Sequence, residues 1–371
     1  MTDTLVYKAV SPLEAIVNKL EDQKKAQYDM VLPGGHVRYN AGTGLLEVMK
    51  AEIEEYAITD LCHLQIGDKL EIPRSYYKKM LSSAPELLGQ NINGWLSRKE
   101  KTKFLLRSFK YPDTNNLCRA MLSDRYCIMD NYDVLLAALE AIKQTGIAVE
   151  IVKAEITDSR MYLHVVAPEI HVQATELLDG YLANTEAAIL NKGIISGMVI
   201  TNSEVGMGTF EVSARAQILR CKNGMHDRSA KFRKVHLGGR LEEGTVTWSQ
   251  NTKNKNFDLI IAQTKDAVKT YLSEDYLGQL TTKLTKSKEV QIENPIQVIE
   301  NVSLSVGMGE EHKNSILRYF LGDGDNSAFG VLNAFTRESQ KLDADNQYRV
   351  ESEVFELLPD IHKFDKPNSK N

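Results

Sequence analysis

Apolar residues recur along this chain first at helical spacing, then at every second position, then at helical spacing again. Leu13 to Met30 is amphipathic with a 3.6-residue period, which predicts a short helix, and the turn-rich LPGGHVRYNAGTG follows from Leu32 to Gly44. From Glu52 to Trp95 the apolar positions again fit helices. Ile72-Pro73 interrupts them, so one helix is expected to end near Leu70 and the next to begin near Pro73, because proline suits a first helical turn and disfavours helix in the residue before it. That pair is either a packed helical hairpin or a DNA-reading helix-turn-helix.

The period changes at Lys103. Phe104–Tyr111 and Leu117–Asp130 are rich in strand formers, with Pro112-Asp113 and Asn115-Asn116 supplying turn chemistry between them. Val134–Gly146 is helical and ends on a glycine placed to cap it. Ile147–Ile156 and Arg160–Pro168, split by Thr157-Asp158-Ser159, predict an antiparallel hairpin. Two further strands follow around Gly197–Gly206 and Gly208–Cys221. In the second, Thr209, Glu211, Ser213, Arg215 and Gln217 alternate with Phe210, Val212, Ala214, Ala216 and Ile218, giving one polar and one apolar face. After Trp248 the pattern is helical to Leu358, and the polar tail from His362 is expected to be disordered. The expectation is an α+β protein with a mainly antiparallel sheet core, a crossing helix, a helical N-terminal part and a helical C-terminal extension. Its expected divisions are residues 1–97, 98–256, 257–360 and the tail 361–371.

Charge adds a pointer to partners. The 371-residue chain has net charge -5, yet Arg215 to Arg240 holds eight Lys or Arg residues against the single acid Asp227, a local excess of +7. Concentrated cations in an acidic protein suit a polyanion, and the stretch after the alternating strand is expected to be a basic, glycine-containing loop. A second basic segment, Arg98 to Tyr111, interleaves Arg107 and Lys110 with Phe104, Phe109 and Tyr111. Cations that track phosphates beside rings that stack on bases suit single-stranded nucleic acid; an amphipathic strand with core aromatics has the same composition.

The remaining chemistry is sparser. TNSEVGMG (Thr201–Gly208) is either a ligand loop using Asn202, Ser203, Glu204, Gly206 and Gly208, or a plain turn between strands, and it lacks the lysine of a phosphate-binding P-loop. Asp124, Asp130 and Asp133 could hold a divalent metal, but Asp130-Asn131 before an apolar helix is better placed as an N-cap. Glu310 and Glu311 are expected to begin a helix. The four cysteines, Cys62, Cys118, Cys127 and Cys221, have neither disulfide-framework nor zinc spacing. No cofactor, metal or catalytic residue is expected, no segment resembles a signal peptide or membrane span, and a cytoplasmic protein is expected.

Several segments in order resemble one family: LRSFK (Leu106–Lys110), AMLSDRY (Ala120–Tyr126) with MDNYDVL after it, VITNSEVGMGTFEVSA (Val199–Ala214), RCKNGM (Arg220–Met225), HLGG (His236–Gly239) and LNAFT (Leu332–Thr336). Together they are similar to the phage/plasmid-like proteins of the domain of unknown function 932, across roughly residues 45 to 355. The resemblance implies a mobile-element setting, in which DNA replication, recombination and evasion of host defence are the usual trades. The strand-helix-strand order is also similar to the core of phage single-strand annealing proteins, which implies a homo-oligomer. The expectation is a non-catalytic, single-strand-binding or annealing protein. Its phosphate contacts are expected from Arg107, Lys110, Arg119, Arg125, Arg215, Arg220, Lys222, Arg228, Lys231, Arg233 and Lys234, and its stacking rings from Phe109 and Tyr126. Two alternatives stay open: an inhibitor of host defence that binds a nucleotide signal or a protein partner, and a metal-dependent nucleic-acid enzyme using Glu204 and Asp124.

Overall fold

The computed structural model describes residues 11–112, 115–178, 193–218, 224–234, 244–245 and 249–365. Those residues form the α+β arrangement expected, as eleven α-helices and two mostly antiparallel sheets. The first sheet holds β1 (Met30–Pro33), β2 (Val37–Asn40), β3 (Leu45–Met49), β4 (Ile53–Ile58), β5 (Lys103–Phe109), β6 (Asn116–Ser123) and the two-residue β12 (Gly244–Thr245). Their order is β12-β1-β5-β6-β4-β3-β2, antiparallel throughout except for the β4–β6 pair. Four of these strands lie in the N-terminal stretch expected to be helix and turn. They are only four to six residues long, too short to display a clear alternation; β2, β3 and β4 pair with one another, while β1 pairs with β5 and β12 and β4 also with β6, all far along the chain.

Beyond β4 the helices begin as expected. α2 (Asp60–Lys69) stops just before Leu70 and α3 (Arg74–Ser83) starts after Pro73, followed by α4 (Pro85–Arg98). The α2–α3 pair is packed rather than free: Ile66, Tyr77, Leu88 and Ile92 join Leu46, Tyr56, Phe104 and Leu106 of the sheet in one core. Each such side chain contributes roughly 2 kcal/mol of transfer free energy.

The second sheet is fully antiparallel, in the order β11-β10-β9-β8-β7. It comprises β7 (Glu150–Ile156), β8 (Met161–Gln173), β9 (Gly193–Asn202), β10 (Phe210–Ile218) and β11 (Gly224–Lys234). The expected β7–β8 hairpin pairs Ile156 with Met161 across its turn. Helices α1 (Pro12–Ala26), α5 (Asn131–Thr145) and α6 (Gln250–Tyr271) cover the face that carries Leu163, Val165, Met198, Ile200, Phe210 and Val212. Gly146 ends α5 in the left-handed region (φ 73°), as a capping glycine should.

The helices α7 (Glu274–Glu289), α8 (Pro295–Ser305), α9 (Glu310–Asp323), α10 (Ala328–Ser339) and α11 (Ala344–Leu357) build a further core with the far end of this sheet. Glu310 and Glu311 do begin α9.

Three expectations change here. The basic segment expected to be a loop is, over Gly224–Lys234, the edge strand β11, paired with β10 from Phe210↔Lys234 to Gln217↔Gly224 around a bulge. The polar face of β10 is not open to solvent: α11 covers it, with Tyr348 donating to Glu211 at 2.8 Å and lying 3.3 Å from the Ser213 hydroxyl. Finally, the chain from Leu358 to Asp365 is a 3-10 helix instead of the start of a disordered tail, and the Asp365 carboxylate accepts from the Glu293 and Asn294 amides at 2.8 Å each. Residues 366–371 lie outside the described residues.

Candidate ligand cleft

The two sheets meet around a buried ionic network. Arg107 sits on β5 with no exposed surface, on the same side as Leu105, facing the turn between β9 and β10. It donates from Nε and Nη2 to Asp29 (3.2 and 3.0 Å), from Nη2 to Asp130 (2.6 Å) and from Nη1 to the Glu204 carbonyl (2.7 Å). Lys24 of α1 completes the cluster by donating to Asp130 at 2.6 Å and Asp133 at 3.0 Å. Burial would raise the Asp130 pKa, but Arg107 and Lys24 outweigh it and hold the carboxyl well below the usual range. The Asp130 side chain is therefore spent on cations, and Glu204 takes its place at the start of α5, accepting from the Asn131 amide at 2.9 Å.

Arg119 is brought to this junction by a break in strand register. Arg107 pairs with Ala120 and Ser108 with Cys118, which leaves Arg119 as the extra residue of a β-bulge. A bulge re-aims a side chain, and here Arg119 joins Ala120 on the side of the β9–β10 turn. Its Nη1 donates to the Glu204 carboxylate and its guanidinium lies over the Phe109 ring, 3.8 Å from the centroid. Burial would raise the Glu204 pKa, but Arg119 and then Arg107 outweigh it and the carboxyl stays ionised below its ordinary value.

The TNSEVGMG turn is scaffold for most of its length. Asn202 donates to the Met129 carbonyl (2.9 Å) and to Asn131 (2.8 Å), and Ser203 donates to the Ser159 carbonyl at 2.7 Å. Gly206 has φ 80°, and a Cβ at Gly208 would come within 2.8 Å of the Arg160 guanidinium, which donates to the Met207 carbonyl. Gln65 of α2 and Tyr126 of the turn after β6 hold it from the other side, donating to the Val205 carbonyl and the Ser203 carbonyl, each at 2.7 Å. Only Glu204 and Val205 of this turn reach the cleft.

That cleft encloses about 200 Å³ between α1, the end of the β5–β6 hairpin, the start of α5 and the β7–β8 turn. Lys19, Tyr111, Arg119 and Arg160 line it together with Phe109 and Glu204. Among the sequence candidates, Phe109, Arg119 and Glu204 thus converge from three separate segments. Lys19 and Arg160 were not singled out in the sequence: the first looks like an ordinary solvated helix lysine, the second like a turn residue.

Other candidates fall elsewhere. Arg107 and Arg215 are buried (0% and 4% exposed), with no surface to offer a phosphate. Burial pushes the Arg215 pKa down, partly countered by Glu351. Phe109 lies beneath Arg119, and Tyr126 packs against the core between the sheets, so neither offers a free face for stacking. Lys110 is paired with Glu54 at 2.9 Å and sits over the Tyr28 ring. Arg125 is exposed in the turn after β6. On β11, Arg233 is exposed and donates to Thr209 at 3.1 Å, and Lys231 is half-buried. Arg228 and Lys234 lie on the same strand, while Arg220 and Lys222 lie outside the described residues.

Cys62 and Cys118 are buried free thiols 3.5 Å apart. Among the described residues, no three His, Cys, Asp or Glu side chains are placed to hold a metal ion, and no helix is long and apolar enough to cross a membrane. No family model, no curated protein and no solved structure matches the chain.

Proposed function

We propose that this chain is a non-catalytic nucleic-acid-binding protein of a mobile element, preferring single strands and acting in annealing or recombination as a homo-oligomer. The observation that carries the reading is the meeting of cations and an exposed ring in one cleft: Lys19, Arg119 and Arg160 with Tyr111 at 36% exposure. A strand whose bases are unstacked presents flat faces and phosphates together, which is what such a lining suits. The edge strand β11, with Lys231 and Arg233, supplies further positive charge. Fluorescence anisotropy with labelled oligonucleotides of rising length, at about 50 and 200 mM salt, tests it. Affinity that rises with length and falls with salt is expected; binding absent at low salt refutes the reading.

The size of the cleft, about 200 Å³, favours a second reading, a binder of single nucleotides such as a signal of host defence. It requires calorimetric binding of a mononucleotide with no gain from added length. A metal-dependent nuclease requires cleavage of labelled DNA with magnesium or manganese, and intact DNA removes it.

A further inference from the structure

We propose that the outer groove between α3 and α4 is a second contact for a single-stranded nucleic acid, in which Tyr76 and Trp95 stack on bases while Lys78, Lys79 and Arg98 meet phosphates. All five side chains are open to solvent, the two rings at 43% and 42% exposure.

Helical periodicity sets the rings beside one groove. Only Ala84 separates the two helices, and Asn91 Nδ2 lies 3.5 Å from Met80 Sδ between them. Residues four apart share a helix face. Tyr76 is therefore one turn from Met80 along α3 and Trp95 one turn from Asn91 along α4, each on the side away from the Ala84 connection. Arg98 completes the Trp95 side. Its guanidinium carbon lies 5.3 Å from the ring centroid and its Nη1 donates to the Gly94 carbonyl at 3.1 Å, so a cation is held against an indole that stays accessible.

Ring and charge together select the partner. Tryptophan is highly buried on average, and an amphipathic ring left half open beside a second one suits a contact surface. From Arg74 to Lys101 six Lys or Arg residues stand against two acids, in a chain of net charge -5, and α3 contains no acid. Arg74 is paired with Asp68 and Lys99 with Glu71, so the cations offered to a ligand are those proposed above and Lys101. A polyanion that also presents flat apolar faces matches this surface, and a strand with unstacked bases is one; a duplex keeps its bases stacked and offers the rings nothing. The groove is distinct from the cleft: α4 leads into the Lys103 end of β5 and the cleft lies at the Phe109 end, roughly 20 Å along the strand.

The groove rests on the nucleic-acid reading, and the test separates the two. Anisotropy of a labelled oligothymidylate reports binding anywhere on the protein. Fluorescence reports contact here, because the sequence holds only Trp95 and Trp248. Wild type and Trp95→Phe are titrated with the unlabelled strand and with an abasic strand of the same length, and the affinity of the double variant Tyr76→Leu, Trp95→Leu is measured by anisotropy.

Quenching is expected in wild type, lost in Trp95→Phe and absent with the abasic strand, and the double variant is expected to bind at least about tenfold more weakly. Binding by anisotropy with the same fluorescence response in wild type and Trp95→Phe, and an unchanged affinity in the double variant, removes the groove and keeps the reading. Equal quenching by the abasic strand overturns the stacking role. No binding by anisotropy at low salt removes both. Should the double variant fail to fold by circular dichroism, the comparison of wild type with Trp95→Phe decides.

Discussion

Replacing Arg107 by methionine removes the cation at the centre of the junction while keeping most of its apolar stem. Four hydrogen bonds are lost, three to Asp29 and Asp130 and one to the Glu204 carbonyl. Breaking one side of a buried ion pair costs about 3–5 kcal/mol, because the partner charge stays behind. The lower end applies here. Asp130 keeps Lys24 at 2.6 Å, and Asp29 keeps Gln27 at 2.7 Å, so neither carboxylate is stranded. A loss of about 3 kcal/mol, with a urea slope of roughly 3 kcal/mol per molar, lowers the unfolding midpoint by about 1 M.

Acid provides an independent reading of the same variant. Asp130 has a folded pKa below its unfolded value, so the stability it contributes is present above the ordinary carboxylate pKa and is lost as pH falls through the depressed one. Without Arg107 that folded pKa rises toward the unfolded value, so the acid loss tied to Asp130 is smaller in the variant and is complete at a higher pH than in wild type. Circular dichroism in urea across a pH series measures both effects. A midpoint within about 0.2 M of wild type, with an unchanged acid profile, would refute the idea that this network docks the two sheets.

Three further outcomes are expected. Glu54 is held down to about 2, since hydrogen bonds from Tyr56, Lys110 and Lys50 outweigh the opposing effect of burial; Glu54→Gln should flatten the loss of stability between its ordinary pKa and pH 2, read from urea midpoints. Tyr348→Phe takes the donor from the buried Glu211 carboxylate and should cost about 1–3 kcal/mol in the same assay, which tests whether α11 is what seals the polar face of β10. Lys231→Ala with Arg233→Ala should lower the log–log salt slope of oligonucleotide binding by about 1.4, at about 0.7 for each of two single-strand phosphate contacts. An unchanged slope excludes β11 from the interface.

The second sheet was legible because its strands are long enough to alternate and its hairpins close locally. β10 follows a period of two, β7, β8 and β9 fall where strand-forming runs were read, and Gly146 and Pro73 mark helix boundaries where their backbone preferences require. The first sheet was half hidden, since β4 pairs in parallel with β6 from some sixty residues away, across three intervening helices.

Basic residues misled for a related reason. Arg107 and Arg215 sit among cations in sequence, but their surroundings come from distant segments: Asp29 lies 78 residues from Arg107, and Glu351 acts on Arg215 from another helix. Period-two alternation correctly put Arg215 on the polar face of β10; it could not reveal that a helix with tyrosine and carboxylate groups covers that face. The role of Arg119 depends on a one-residue register shift, which leaves no trace in composition or periodicity.

The most direct test of the central claim is the affinity of the purified chain for single-stranded oligonucleotides of increasing length, at two salt concentrations. Tighter binding with length, weakened by salt, is the result expected of a protein that grips phosphates and unstacked bases. Affinity for single strands that is undetectable at low salt, or equal for a mononucleotide and a long strand, would contradict it.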